Sequence, residues 1–360
     1  MNNVHVLSQD FTLQGIIDSY ESLIWRPAYS NIGDFELYLP ATSKAVELLK
    51  RDRFLVRDSD ITVDSDDIIT YKKVMIIKNI QLVTDIENGD YLTVTGKELK
   101  YLLHQRIVWS QTNLSGTAEA GIRRLINENV INPTNALRKI SNFTLAPAVG
   151  LTRTLEKQVT GSYLDETIVE ICNVYDYGWD IYIQNNKFVF TLYEGVNRSY
   201  AQKVNPYVVF CDTFDNLYNT DYQLNSEVYA NTYLIGGEGE GKERIYTSLD
   251  IAAEGLDRYE AFVDARDISQ NKGTDEEIPL VTYRQLLAER GTEASKEHKV
   301  TEAFTGEVIS TVTFKYGKDF FLGDVVTVIN SYGINKNTRV TSVIESDDSN
   351  GTILVPEFRF

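Results

Sequence analysis

The densest group of residues suited to chemistry is Gly236-Gly237-Glu238-Gly239-Glu240-Gly241-Lys242, continued by Glu243 and Arg244. Glycines ending in a lysine suggest a loop whose backbone amides cradle phosphates. That loop needs Ser or Thr directly after the lysine, at a helix start, to hold magnesium. Here Glu243 follows Lys242, and two glutamates among the glycines would repel a phosphate. A dinucleotide loop fails for the same electrostatic reason. The flanks YANTYLIGG and ERIYTSLD read as strands. The segment therefore reads as a flexible loop between two strands, ahead of a divalent-cation site at Glu238 and Glu240.

The other sources of catalysis are thin. The chain has three histidines, His5, His104 and His298, and none stands at a metal-binding spacing from another. No Gly-x-Ser-x-Gly elbow exists, and Cys172 and Cys211 lack a recognisable nucleophile context. Asp58, Asp60, Asp64, Asp66 and Asp67 resemble a calcium loop in their alternation, but its glycine and terminal glutamate are missing. They read as a solvated loop between strands. A glycosidase needs two carboxylates across a cleft. With 52 acidic residues a pair can always be chosen, so the choice carries no information.

Composition narrows the class further. The 360 residues suggest two to four domains on a prior of about 150 residues each. A formal net charge of −17 argues against a nucleic-acid-binding surface, which must neutralise phosphates. It does not argue against a surface that lets nucleic acid pass without sticking. No stretch approaches the roughly 20 apolar residues of a membrane span, and MNNVHVLSQDFTLQG does not read as a signal peptide. Synthesis in a cytoplasm is the expectation. Two cysteines exclude a disulfide framework. The 22 tyrosines suit strands and interfaces, burying a ring while keeping a polar tip.

The elements that carry these residues are mostly strands. Val4 to Leu7 and Thr12 to Ile17 suggest a hairpin, and Asp34 to Pro40 alternates polar with apolar residues. Phe54 to Val56 and the run Tyr71 to Thr84 follow, and Asn88-Gly89 turns that run into Tyr91 to Thr95. Helices are expected over Gly96 to Gln105, Ser115 to Asn129 (capped by Ser115 or Thr117), Tyr163 to Tyr175 and Ile278 to Glu297. Trp179 to Tyr193 reads as a hairpin turning at Gln184 to Lys187. Leu217 to Tyr222 and Val228 to Ile235 precede the glycine-rich loop. Glu302 to Lys315, Val325 to Asn330, Thr338 to Ile344 and Thr352 to Pro356 close the chain as strands. No repeat period appears. The fold class expected is α+β and β-rich, with small antiparallel β-barrels and inserted helical segments. The division expected is 1–100 as a barrel-like domain, 101–215 mixed, 216–300 strand, loop and helix, and 301–360 completing a second barrel.

Five patterns stand in order along the chain: Trp25 with Gly33 to Pro40; Arg106 to Trp109 before Ala118-Glu119; Tyr229 to Gly241; Phe262 to Ile268; and Tyr316 to Val328. Together they resemble the tail-associated hub proteins of siphophages and Gram-positive prophages, over about residues 10 to 356. The resemblance implies a baseplate-hub-like fold and a homotrimeric ring at the virion tail tip. Two barrels per chain would give the ring pseudo-sixfold symmetry. It implies partners in a distal tail or tail tube protein, the tape measure protein's C-terminus, and tip, spike or receptor-binding components. DNA would be met only in transit.

No catalytic residue, cofactor, metal or stable membrane insertion is expected, and Gly236 to Lys242 becomes a candidate interface loop that orders on assembly. Many members of that family carry a C-terminal hydrolase or receptor-binding part. This sequence stops at Glu357 to Phe360, so those functions are expected on another polypeptide. Two other readings stay open. A carbohydrate- or receptor-binding module should expose aromatics on one strand face, with Trp25, Trp109 and Trp179 as candidates of which at least two look buried. A cell-wall hydrolase should show a carboxylate pair in a cleft or a zinc site.

Overall fold

A computed structural model describes residues 2–87, 89–250, 252–271, 277–307 and 313–359. Asn88 of the expected turn and the middle of the expected strand 302–315 lie outside the described residues. The class is α+β and β-rich, with four α-helices among the described residues: α1 Ser43–Leu48, α2 Ala118–Ile126, α3 Leu164–Tyr175 and α4 Leu280–Glu297.

One thirteen-stranded sheet runs through both ends of the chain. Its path is Tyr218–Asn225, Thr301–Glu307, Gly351–Arg359, Asn335–Asp348, Ser22–Arg26, Asp34–Pro40, Tyr91–Glu98, Met75–Val83, Phe54–Arg57, Val4–Leu7 and Leu13–Ile17. Val209–Cys211 and Val325–Ile329 branch from it, paired in parallel with each other. The alternation read in Asp34–Pro40 buries Phe35, Leu37 and Leu39 and leaves Glu36 in solvent. Phe54–Arg57 does not alternate, because both faces are covered. Leu55 enters the core of the N-terminal strands, and Phe54 and Val56 enter the core of the helical middle.

The middle packs α2 and α3 beside a sheet ordered Phe143–Leu145, Lys187–Tyr193, Gly178–Gln184, Ile69–Tyr71 and Ile61–Val63. The run expected as one strand from Tyr71 is broken by Lys73 in the left-handed region (φ 47°), and its two halves join different sheets. The helix expected at Gly96 is instead strand to Glu98 and then a 3₁₀ segment, Leu99–Gln105. Only glycine fits at position 96 of this strand, because a side chain there would strike the Ile76 carbonyl. Thr117, not Ser115, caps α2 by accepting from the Ala120 amide at 3.2 Å. A separate three-stranded sheet of Tyr246–Asp250, Thr232–Gly236 and Glu260–Asp264 is covered on one face by α4. No helix among the described residues is long and apolar enough to cross a membrane.

Candidate functional site

The glycine-rich segment is the tip of the hairpin between Thr232–Gly236 and Tyr246–Asp250. Gly236 and Gly237 are buried, whereas Glu238 to Lys242 are exposed. Gly237 lies against Tyr283 and Leu287 of α4, where a side chain would clash. The Tyr283 hydroxyl accepts from the Glu238 amide (2.8 Å) and donates to the Ile268 carbonyl (2.7 Å). The Glu238 carboxylate accepts from the Gln270 amide at 2.8 Å. The first half of the loop is therefore anchored, and Gly239, Glu240, Gly241 and Lys242 project from it.

Gly236 also clears space on the open face of this sheet. Arg244 lies across it, donating to the Gly236 and Gly237 carbonyls and to Asp264 at 2.7 Å. Its guanidinium carbon sits 5.7 Å from the Tyr246 ring and 5.3 Å from the Phe262 ring. Leu234, Tyr246 and Phe262 are each close to half exposed on this face.

A second concentration of structure lies where the chain's two ends meet. Glu345 to Asp348 pair with Ser22 to Trp25, so the fourteen-residue strand Asn335–Asp348 crosses from the C-terminal core to the N-terminal one. Arg57 is buried over the Trp25 ring and bonds Asp60 at 2.7 Å and Glu345 at 3.0 Å. Lys73 lies 3.6 and 3.5 Å from the same two carboxylates. Burial alone would raise the Glu345 carboxyl, but the charges of Arg57 and Lys73 outweigh it and hold it below its ordinary value. Asp347 accepts from the Tyr20 hydroxyl at 2.7 Å and the Asn2 amide at 2.9 Å. Tyr29 closes the joint. Its ring rests on Gly178 and Gly323, and its hydroxyl donates to the Asp176 carbonyl and accepts from the Gly195 amide.

Several of the residues weighed for catalysis fall into structural pairings. Asp60 belongs to the Arg57 group, and Asp64 accepts from the Asp66 and Ile68 amides of its own loop. Asp58 bonds Asn3 and His5. His104 stacks between Tyr101 and Tyr163 and reaches Asp165 at 3.1 Å. The described residues contain no group of three potential metal ligands. Trp25 and Trp179 are fully buried, and Trp109 is 64% exposed beneath Arg138.

One carboxylate pair does line a cleft. Glu170 of α3 and Glu293 of α4 share Lys157 at 2.8 and 2.5 Å, in the wall of a cavity of about 780 Å³. Both carboxylates close on the one Lys157 ammonium, which occupies the space between them. Glycosidase carboxyls stand about 5 Å or more apart, flanking the bond to be cut, so this contact does not offer that chemistry. Burial raises the Glu293 carboxyl to about 7 despite Lys157, with Glu170 adding to the rise. The folded chain thus holds a proton there that the unfolded chain has released, so stability is expected to fall as pH rises from about 4.5 to 7. Glu293→Gln should flatten this slope in urea titrations; an unchanged slope would contradict the raised Glu293 carboxyl.

The sequence matches the family described as Siphovirus ReqiPepy6 Gp37-like protein over residues 3–358. No curated protein sequence matches it. The tail protein of Neisseria meningitidis MC58 has a similar structure, with TM-score 0.59 and 12% identity, covering 100% of this chain and 96% of that one. The 43 kDa tail protein of prophage MuSo2 from Shewanella oneidensis gives TM-score 0.57 and 11% identity, with 99% and 98% covered. A chain of the lidded Francisella PdpA-VgrG complex gives TM-score 0.50 and 10% identity, with 99% of this chain and 52% of that chain covered. These likenesses are of fold. The family match takes in almost every residue, and the chain belongs to the Siphovirus ReqiPepy6 Gp37-like protein family.

Proposed function

We propose that this chain, a structural protein of a phage tail, is the hub subunit of the tail tip. Three copies would form a ring that joins the tail tube or distal tail ring to the tip and lines the DNA channel. The observation that carries the reading is the joint. One continuous sheet, the Arg57 group and the Tyr29 slot couple the N- and C-terminal strand regions into one stiff block. A subunit offering two β units to a ring needs them held at a fixed spacing. On this reading 1–100 and 301–360 contribute the two barrels, with 101–215 and 216–300 inserted between them. The tape measure protein's C-terminus and the tip or spike components would contact the ring, and DNA would pass through it without adhering. The net charge of −17 suits such a lumen.

The test is the mass in solution of the 40.9 kDa chain, alone and with the distal tail protein. A threefold mass, or a ring with a central channel in electron micrographs, supports the hub. A monomer that also ignores the partner ring overturns it.

The projecting half of the glycine-rich loop is the proposed interface element. Deleting Glu238 to Glu240 would also remove the anchors at Glu238, so charge reversal of the exposed tip is the cleaner experiment. Glu240→Lys with Lys242→Glu should leave stability within about 0.5 kcal/mol while sharply lowering the yield of completed tails. Normal tails from this variant would reject the loop's role.

A second reading, a receptor- or carbohydrate-binding module, draws on the open sheet face with Leu234, Tyr246 and Phe262. Saturation of a cell-wall saccharide by the monomer, lost in Phe262→Ala, would favour it over the hub.

A further inference from the structure

A pocket of about 340 Å³ opens where the N-terminal sheet, the helical middle and the C-terminal strands meet. Asp60, Lys72, Lys73, Glu98, Lys100 and Asp180 supply its charges, and Tyr193, Tyr316 and Phe321 supply aromatic walls.

Most of these charges are already satisfied. Lys100 is buried, donates to the Ala28 and Asn31 carbonyls, and lies 3.2 Å from Glu98. Glu98 in turn accepts from the Gly33 amide at 2.7 Å. Lys73 is shared between Asp60 and Glu345, and Lys72 is exposed. An anion entering the pocket would find the buried donors in use.

Asp180 differs from all of these. Among the described residues no side chain hydrogen-bonds its carboxylate, and the Lys100 ammonium acts on it only through its charge. A free carboxylate beside three aromatic rings suits a cation, because ring faces attract positive charge and the carboxylate neutralises it. Two of the rings already carry a cation on one face: Lys73 Nζ lies 4.5 Å from the Tyr316 centroid, and Arg198 lies 6.0 Å from that of Phe321. A divalent metal needs about six or more oxygen ligands, and the described residues hold no such cluster. The volume suits the end of a side chain or a small amine.

We propose that this pocket binds one organic cation, an alkylammonium or guanidinium group, held by Asp180 against Tyr193, Tyr316 and Phe321. The site stands apart from the hub reading and does not depend on it. Burial, with Glu98 adding to it, raises the Asp180 carboxyl to about 7 against the pull of Lys100 and Lys73. A cation therefore competes with a proton for this carboxylate.

The experiment is calorimetric titration of the full chain at pH 8 with agmatine and n-butylammonium, with 1-butanol as the neutral control. The cations are expected to bind and the alcohol not to. Asp180→Asn should weaken binding at least about tenfold, the scale of a lost charge-assisted contact. The affinity of the wild type should rise about tenfold from pH 6 to pH 8, following the ionised fraction of Asp180. An unchanged melting point of Asp180→Asn at pH 5, where the acid is already protonated, shows that the variant is folded. Blocked Gly-Arg-Gly separates the sources: its binding assigns the pocket to a partner's arginine, and binding of the free amines alone assigns it to a small-molecule amine. Absence of binding to the wild type by all three cations, or equal binding by Asp180→Asn, overturns the proposal.

Discussion

Gly323→Ala is expected to remove about 4–7 kcal/mol of stability, enough to deplete soluble folded chain. Gly323 has φ +87°, and a methyl group there would overlap the Tyr29 ring. The left-handed backbone costs about 1–2 kcal/mol for a residue with a Cβ. Displacing a buried aromatic ring costs about 3–5 kcal/mol more. Tyr29 cannot step aside, because Gly178 bounds its ring and its hydroxyl bridges Asp176 and Gly195. Gly195→Ala should act similarly, since its methyl would meet the Gly323 carbonyl. Gly317→Ala separates strain from overlap: Gly317 has φ +81° but open space around it, so only the backbone cost applies. Urea midpoints of the three variants decide this. A Gly323→Ala chain no less stable than Gly317→Ala would show that the Tyr29 slot does not hold the joint.

The period of the side chains made much of the fold legible. Asp34–Pro40 and Gly178–Gln184 follow their alternating patterns, Lys187–Tyr193 closes the expected hairpin, and α3 and α4 follow their helical ones. Other elements were hidden where tertiary contacts override local preference. Thr112–Thr117 and Thr154–Val159 pair only with each other, and neither carries a strong apolar pattern in its six residues. The stretch from Leu99 looks helical by composition, yet buried Lys100 must reach the Ala28 and Asn31 carbonyls, and the chain winds tighter there.

Three of the five patterns that carried the resemblance are joints. Trp25 supports Arg57, and Glu119 binds the amides of Val149, Gly150 and Leu151 at 2.7 to 2.9 Å. In Tyr316 to Val328, Phe320 is core, Gly323 holds Tyr29, and Asp324 bonds Arg198 at 2.7 Å. Spacing alone could not disclose these roles, since each partner lies 30 or more residues away in the chain. The same holds for Asp180, an unremarkable acid in a strand until Tyr193 and Tyr316 are brought beside it. The glycine-rich loop was visible from the outset, whereas its division into an anchored and a projecting half depends on Tyr283, 45 residues downstream of Glu238.

Arg57→Met is expected to cost about 3–5 kcal/mol, the range for removing one partner of a buried ion pair. Arg57 is 2% exposed and answers two carboxylates at once. Without it Asp60 and Glu345 face each other with Lys73 alone, at 3.6 and 3.5 Å. Acid should distinguish this charge effect from simple loss of packing on Trp25. In the wild type Glu345 is held below its ordinary value, so its contribution is present above about pH 4.5 and is lost as pH falls through the lower folded value. In Arg57→Met burial is less opposed, the Glu345 carboxyl rises, and protonation relieves the unpaired charge. The deficit relative to the wild type should therefore be largest near pH 7 and shrink toward pH 4. Asp60→Asn added to Arg57→Met should recover most of the loss at pH 7, because Lys73 then balances the one carboxylate that remains, Glu345. Urea titrations of the three chains at both pH values test the account. A deficit that is equal at pH 4 and 7, and unrelieved in the double variant, would assign the role of Arg57 to its packing against Trp25.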